Sequence, residues 1–550
     1  MYQYFILHIM YELCYIGFRD RRGSIMEYWA KPGLDRLQAL LFHPTLDASV
    51  SQDHPVRALE QILRGLDWSA WTQEYNGHVG QPPIPPWVMA GVILYGLMRR
   101  IRSSRQLEYA CGNNIDFMWL AELRTIDHDT ICRFRTKFKG PLKELFKQVG
   151  RLAMQMGFIR LLEVAFDGTR IKANASRFHT WTAERIDAVL QELEAQVAKM
   201  LNEAETADAS DASLRDDCLP QALSPELAEA QKRMEELKQL SAELHAADAA
   251  RKKDGIKTPA QMPKADTDST VMPNKEGGYA PNYTPVVATD GATDFIVDCD
   301  VIPGPNEHNE LLPSVDRIEE NFGQKIENVS ADKAFGTGAN LEGMEARNVN
   351  FHTPVESPAP QEGNPAKRED PRQPVPEADW SKLPRNDKKK LDKCNFTYDE
   401  ATDMYFCPLG KALPYRETKK SDGSQGPRVW RVYGSKDCAN CPLAKECLDP
   451  KAKRGRTISR DAYERERERM HAKMQRAEEK KIYNRRMHIG ETQFAIIKGI
   501  MEVRRFLLRG LEKVRTEWCW VCTAYNLKKL IAALAALRAE SGEIPTSVKG

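Results

Sequence analysis

The run Leu161, Leu162, Glu163, Val164, Ala165, Phe166 constrains this chain more than any other stretch. It is largely apolar, shorter than a typical helix, and ends at Asp167, Gly168 and Thr169. Such a run reads as a buried strand that delivers a carboxylate at its C-terminal edge. A strand of that kind belongs in a sheet covered on both faces. Further strand patterns come at 285–289, 295–301 and 326–331, with helical spacing over 310–322 between the last two. The order is strand, strand, helix, strand, and the last strand leads into Asp332. The expected fold class is α+β or α/β and multidomain, with a mixed sheet flanked by helices.

What separates the first strand from the others has its own pattern. Residues 181–254 carry 17 acidic against 9 basic side chains. Ile186, Leu190, Leu193, Val197 and Met200 recur at spacings of four and three, as do Leu227, Ala230, Met234, Leu237, Leu240 and Leu244. Two antiparallel helices with a coiled-coil-like seam are expected, joined through the polar stretch 206–217 and the turn-like 219–225. In the second arm a strict heptad would put the seam at Ser241, and Leu240 takes that place. At 550 residues the chain exceeds one core, and three to five units are expected at roughly 100–200 residues each. With 41% hydrophobic and 29% charged residues, wholesale disorder is excluded. No apolar run reaches the roughly 18 residues a membrane span needs.

The segment before the first strand reads as helical. Pro82, Pro83, Pro85 and Pro86 block helix, and 87–99 is apolar enough for a buried one. A short helix follows at 103–111. Asp127 is placed to cap another over 131–138, which Arg133, Arg135, Lys137 and Lys139 make basic. Two short helices, the second basic, fit a helix-turn-helix that reads DNA; a plain helical bundle with a solvated basic face fits equally. Residues 1–25 lack a basic start and a cleavage site. They are expected to be a mis-assigned or disordered extension, with translation starting at Met26.

The net charge of +2 conceals an asymmetry. Between Lys451 and Arg515 there are 20 Lys and Arg against 9 Asp and Glu, a local +11. A solvated helix explains part of it, but phosphate neutralisation dominates nucleic-acid affinity, and a polyanionic partner explains the whole tract. Inside it stands Glu491. With Asp167 and Asp332 it makes three carboxylates drawn from different elements. Each alone is ordinary surface chemistry. Together they suit two divalent cations about 3.5–4 Å apart that clamp a phosphodiester displacement. Lys498, seven residues after Glu491, returns to nearly the same face of a regular helix.

Cys407, Cys438, Cys441 and Cys447 cluster among the 12 cysteines, with Cys394 as a fifth candidate. In a reducing cytosol such spacing suits a tetrahedral structural Zn²⁺. Cys519 and Cys522 also match C-x2-C but sit in an apolar run and read as core packing.

The segment from Tyr483 through Arg486 and Glu491 to Lys498 resembles the Tyr/Arg/Glu/Lys signature of bacterial insertion-sequence DDE transposases. Phe166-Asp-Gly-Thr-Arg resembles their first-Asp motif and Ser330-Ala-Asp-Lys their second. Asp53-His-Pro-Val-Arg57, Tyr75-Asn-Gly-His, Ser103-Ser-Arg-Gln and Asp127-His-Asp-Thr resemble the family's helical N-terminal domain. The likeness runs over roughly 40–535, and its strength lies in the ordered set of motifs. It implies an RNase H-like catalytic domain built from 155–175, 262–350 and 455–537. That domain follows a helical DNA-binding domain (26–150). It is interrupted by the helical hairpin (176–261) and by a linker with a Cys-rich zinc insertion (351–454), and 538–550 form a tail. The resemblance implies that Asp167, Asp332 and Glu491 hold two Mg²⁺ or Mn²⁺, and that Tyr483, Arg486 and Lys498 contact DNA. Double-stranded DNA, both terminal inverted repeats and target, is the implied partner. A homodimer in a synaptic complex and a bacterial cytoplasmic location follow, with no membrane. An inactive DNA-binding copy and an RNase H-like nuclease are the alternatives. One departure stands out: four residues rather than three separate Arg486 from Glu491, and Gly490 precedes the acid. Glu502 is the fallback carboxylate.

Overall fold

The computed structural model describes residues 45–75, 83–211, 225–253, 256, 258–274, 277–355, 363–423, 426–436, 438, 440–449 and 455–541. The expectations for 1–25, 76–80, 212–224 and the end of the tail lie outside them. The chain divides into two compact units after Val50, and every element below belongs to the second.

Strand β1 (Glu163–Gly168) lies inside a sheet. On one side it pairs antiparallel with β2 (Tyr279–Asp290), which pairs antiparallel with β3 (Ile296–Ile302). On the other it pairs parallel with β4 (Asn328–Ala331), and β4 pairs parallel with β5 (Asn350–His352). The main order is β3-β2-β1-β4-β5, with short strands Ile171–Lys172 and Thr270–Pro273 added near the start of β2. Val164, Phe166, Val329 and Ala331 are fully buried, in one core with Leu311, Val315 and Ile318 of the helix Leu311–Phe322. Burial of β1 is what made its sequence a nearly continuous apolar run rather than an alternating one.

The N-terminal helices include Pro86–Met98, buried nearly throughout, and Ser104–Asn113. A further helix, Ile115–Leu120, stands between Ser104–Asn113 and α1 (His128–Lys137). The short turn of a helix-turn-helix is therefore missing, and the segment is the helical bundle. Asp127 does cap α1, accepting from Thr130 N at 2.8 Å; the Thr130 hydroxyl, which donates to it at 2.6 Å, and then that amide hold its carboxyl below the usual range.

The hairpin insertion is present as α2 (Ala183–Asp211) and α3 (Pro225–Lys253). Helix α2 runs into the stretch expected to be connector. Lys238 pairs with Glu194 at 2.7 Å and His245 with Asp187 at 2.8 Å, which makes the helices antiparallel. Ile186, Leu190, Leu237 and Leu244 are buried in the seam. So is Ser241, whose hydroxyl donates to Asp187 at 2.6 Å, while Leu240 packs only partly. The heptad position holds after all, filled by a hydrogen-bonded serine.

The linker expected at the start of 351–454 is corrected within its described part. Ala366, Val375, Leu383 and Leu391 share a small core with Leu443. Next comes an antiparallel sheet of five strands: β6 (Thr397–Asp399), β7 (Met404–Phe406), β8 (Ala412–Gly423), β9 (Gly426–Gly434) and β10 (Thr457–Asp461). Strand β10 lies inside the basic tract 451–515.

Helix α4 (Ala477–Ala495) packs across β1 and β4, and α5 (Leu511–Ser541) across β3 and the N-terminal helices. Asn526 Oδ1 accepts from Ile296 N at 2.9 Å and its Nδ2 donates to Ile296 O at 2.8 Å, so the outer edge of β3 is met by a side chain. Trp520 Nε1 donates to Arg135 O at 3.1 Å, and Arg102 pairs with Glu517 at 2.8 Å with both largely buried. The helices Pro55–Arg64, Pro86–Met98, α1 and Lys139–Gln155 thus share packing with the last helix. No helix of the described residues is long and apolar enough to cross a membrane.

Candidate active site

The register of β1 against β4 sets Phe166 opposite Ala331. The next residues are Asp167 and Asp332, so two carboxylates leave neighbouring parallel strands at one level, about 4.8 Å apart along the hydrogen-bonding direction. Each is anchored. Asp332 Oδ1 accepts from Ala334 N at 2.8 Å, and Thr353 Oγ1 donates to Asp332 O at 2.8 Å. Asp167 Oδ1 accepts from Gly168 N at 2.9 Å and lies 3.8 Å from Arg486 Nη1.

Arg486 is on α4, with its guanidinium 5.8 Å from the Tyr483 ring. One turn on, Gly490 rests on Asp167: a Cβ there would stand 3.3 Å from Asp167 Oδ2 and 3.4 Å from its Cβ. The glycine that looked anomalous is a close-approach residue. Glu491 follows it at an exposed position. Next to Arg486, Arg485 pairs with Glu163 of β1 at 2.9 Å. Burial pushes the Glu163 carboxyl up, and Arg485 opposes the shift.

Lys498 arrives by a different route from the one expected. The α-helix gives way to a π turn, Ile496–Ile500, so a count of seven residues on a regular helix does not apply. Its ammonium instead donates to Thr169 Oγ1 at 2.5 Å and Arg170 O at 2.9 Å, just past Asp167. Glu502, at φ +58°, pairs with Arg100 at 3.3 Å.

One carboxylate at this strand end has no sequence signature. Glu307, in the 3₁₀ turn Glu307–Glu310, lies so close to Gly168 that a Cβ there would collide with its carboxyl. It comes from a Pro- and Asn-rich loop, where a glutamate reads as solvated. Thr169, buried at the same strand end, accepts from Lys498.

On α1, Arg133 is exposed. Arg135 is not its equal: burial holds its guanidinium below the ordinary pKa, against the nearby charge of Glu517. Ile131 and Phe134 turn into the core, and the helix carries Arg135 partly with them.

Cys407, Cys438, Cys441 and Cys447 line one small cavity together with Leu391 and Arg456. Cys407 opens a tight turn in which Gly410 N donates to its carbonyl at 2.8 Å, and Cys441 N donates to Cys438 O at 3.4 Å. Burial pushes Cys407 up, and Cys447 up to about 11. Cys394 is half-buried, its thiol 3.8 Å from Asn364 Nδ2. Cys519 and Cys522 are buried on α5. Among the described residues, no three His, Cys, Asp or Glu are placed as a metal-holding group.

Two comparisons bear on this geometry. Residues 406–531, which include the four cysteines and the Tyr483–Lys498 segment, match the family model described as "Transposase DDE domain". Residues 44–137 match one described as "Transposase domain (DUF772)". No curated protein matches the chain.

Proposed function

We propose that this insertion-sequence DDE transposase cleaves DNA at the ends of its element and joins the freed 3′ hydroxyls to target DNA. The observation that carries the reading is the β1–β4 register, which puts Asp167 and Asp332 side by side. On helix α4, Glu491 is the residue after Gly490, which rests on Asp167, and we assign it as the third carboxylate. A mixed sheet with helices packed on it also suits an RNase H-like core.

The family generally uses divalent metals, and an oxygen-only donor set of Asp167, Asp332 and Glu491 fits Mg²⁺ or Mn²⁺. Bound there, two such ions would activate the attacking oxygen and stabilise the leaving one. The chain's own groups do the rest. Lys498, tethered at Thr169 and Arg170, offers its ammonium to a phosphate beside Asp167. Arg486, between Tyr483 and Asp167, offers a planar donor to the next. Water and then the 3′ hydroxyl serve as nucleophile, so no covalent protein–DNA intermediate is needed. Arg133 is a candidate DNA contact; Arg135, turned inward, suits that role less. The four cysteines around one cavity fit a structural Zn²⁺, which soft thiolates favour. Synapsis of two ends calls for a homodimer.

The test is a cleavage assay with Mg²⁺ or Mn²⁺ on DNA carrying the gene's own flanking ends. Metal-dependent nicking at the repeat boundary, lost in Glu491→Gln, is expected. Tight end binding with no cleavage in either metal would overturn the reading in favour of a DNA-binding protein without chemistry.

A further inference from the structure

A second basic feature lies apart from the carboxylates. A cleft is lined by Arg99, Arg100, Asn114, Asp116, Ile500 and Lys528, among others. Its walls come from the end of the helix Pro86–Met98, the π turn Ile496–Ile500 and helix α5. Three of the lining side chains are cationic. Asp116, the carboxylate among them, accepts from Tyr95 Oη at 2.7 Å and from Phe117 N at 3.0 Å. Glu502 pairs with Arg100 at 3.3 Å, and both are exposed.

The Lys528 ammonium feels both arginines. Burial, then the charges of Arg100 and Arg99, hold the Lys528 ammonium below its ordinary pKa. Arg100 also sits at φ +67°, in the left-handed region where a residue with a Cβ is strained. Like charges gathered in a partly desolvated cleft raise the free energy unless an anion neutralises them.

We propose that this cleft binds a backbone phosphate of DNA, through Arg99, Arg100 and Lys528, at a subsite separate from the three carboxylates. The proposal rests on the transposase reading above. DNA is favoured over a free anion by position. Ile500 is two residues from Lys498 on the same π turn, and Lys498 donates at the strand end that carries Asp167. A backbone seated on Lys498 lies against the same π turn that walls the cleft.

The experiment measures binding of the full chain to a terminal-end duplex as a function of salt, for the wild type, Arg99→Gln and Lys528→Gln. Each phosphate contact contributes about 0.9 to the slope of log K against log salt. A slope reduced in each variant, by at most the about 0.9 that one phosphate contributes, with affinity lost alike for end and unrelated duplexes, is expected. Unchanged slopes would overturn the proposal even if the wild type cleaves DNA. Reduced slopes with no cleavage by the wild type would support it and sink the catalytic reading alone. Thermal melting without DNA guards against a structural explanation. Relief of mutual repulsion should leave both variants melting no lower than the wild type; lower melting would assign the cations to the fold. Inorganic phosphate is the last probe. If it raises wild-type melting while the duplex slopes stay unchanged, the cleft takes a free anion and the DNA proposal fails.

Discussion

The two sheets of this molecule are built on different physics. The β1–β5 sheet is organised around fully buried aliphatic and aromatic side chains, with Val164, Phe166, Val329 and Ala331 at its centre. The β6–β10 sheet is held by polar aromatic contacts. Tyr398, Tyr405 and Tyr433 cluster with ring centroids 5.1–5.9 Å apart, and the Arg460 guanidinium lies 4.0 Å from the Tyr398 ring. Tyr398 and Tyr433 both donate to Asp403, at 2.8 and 2.7 Å. The first sheet excludes water around the strands that deliver two carboxylates. The second is a small, polar unit whose thiols line its own cavity.

The largest expected effect separates chemistry from fold. Asp332→Asn, Asp167→Asn or Glu491→Gln should each lower strand cleavage by at least about 10³-fold, the upper scale for one catalytic electrostatic group, while end binding stays within about twofold. Near-normal cleavage by any of them removes that residue from the set. Stability should then divide the two sheets. Phe166→Ala is expected to cost about 3–5 kcal/mol in denaturant unfolding, and Tyr433→Phe about 1 kcal/mol. Equal losses would erase the distinction. For the thiols, Cys441→Ser or chelation should release bound zinc and expose the β6–β10 sheet to proteolysis. If elemental analysis finds no zinc in the wild type and proteolysis is unaltered, the metal has no place there.

Gly490→Ala tests the seam between α4 and β1. Helix propensity alone would stabilise by about 1 kcal/mol. The added Cβ instead crowds Asp167, so cleavage should fall about tenfold with melting unchanged or higher; unchanged cleavage means the close approach has no catalytic consequence. The smallest effect is in pH. His352 is fully buried on β5, 2.6 Å from Glu479. Burial and the Lys473 charge lower its pKa, and Glu479 only partly opposes them. The unfolded chain therefore takes up this proton first. Its contribution is complete above pH ~6.5 and is lost as pH falls below, by no more than about 1.4 kcal/mol per unit. His352→Gln should flatten that slope; an unaltered slope places the titration elsewhere.

This contrast also explains what could be read in advance. Buried strands such as 161–166 and 326–331 announce themselves because burial demands apolar side chains. Strands β8 and β9 carry Arg416, Glu417, Lys419, Lys420 and Arg431, and their pairing is invisible to hydrophobic pattern. Over 363–391 the apolar residues are single and far apart, so proline and charge dominated a segment that in fact has a core. The two Asp residues were legible as strand ends. Glu307 and the π turn were not, because each depends on tertiary contact that no local pattern encodes.

The placement of β1 next to β2 and β4 has a consequence in time. Helices α2 and α3 are synthesised between β1 and the first partner it pairs with. The N-terminal helices find α5 only when the last part of the chain is made. Contacts so distant in sequence slow folding and leave apolar segments waiting. During synthesis, α2 and α3 can pair locally while β1 has no sheet. Glu491 is made long after the two aspartates. Nascent or prematurely terminated chains, therefore, would carry most of the basic tract without Glu491 and without helix α5.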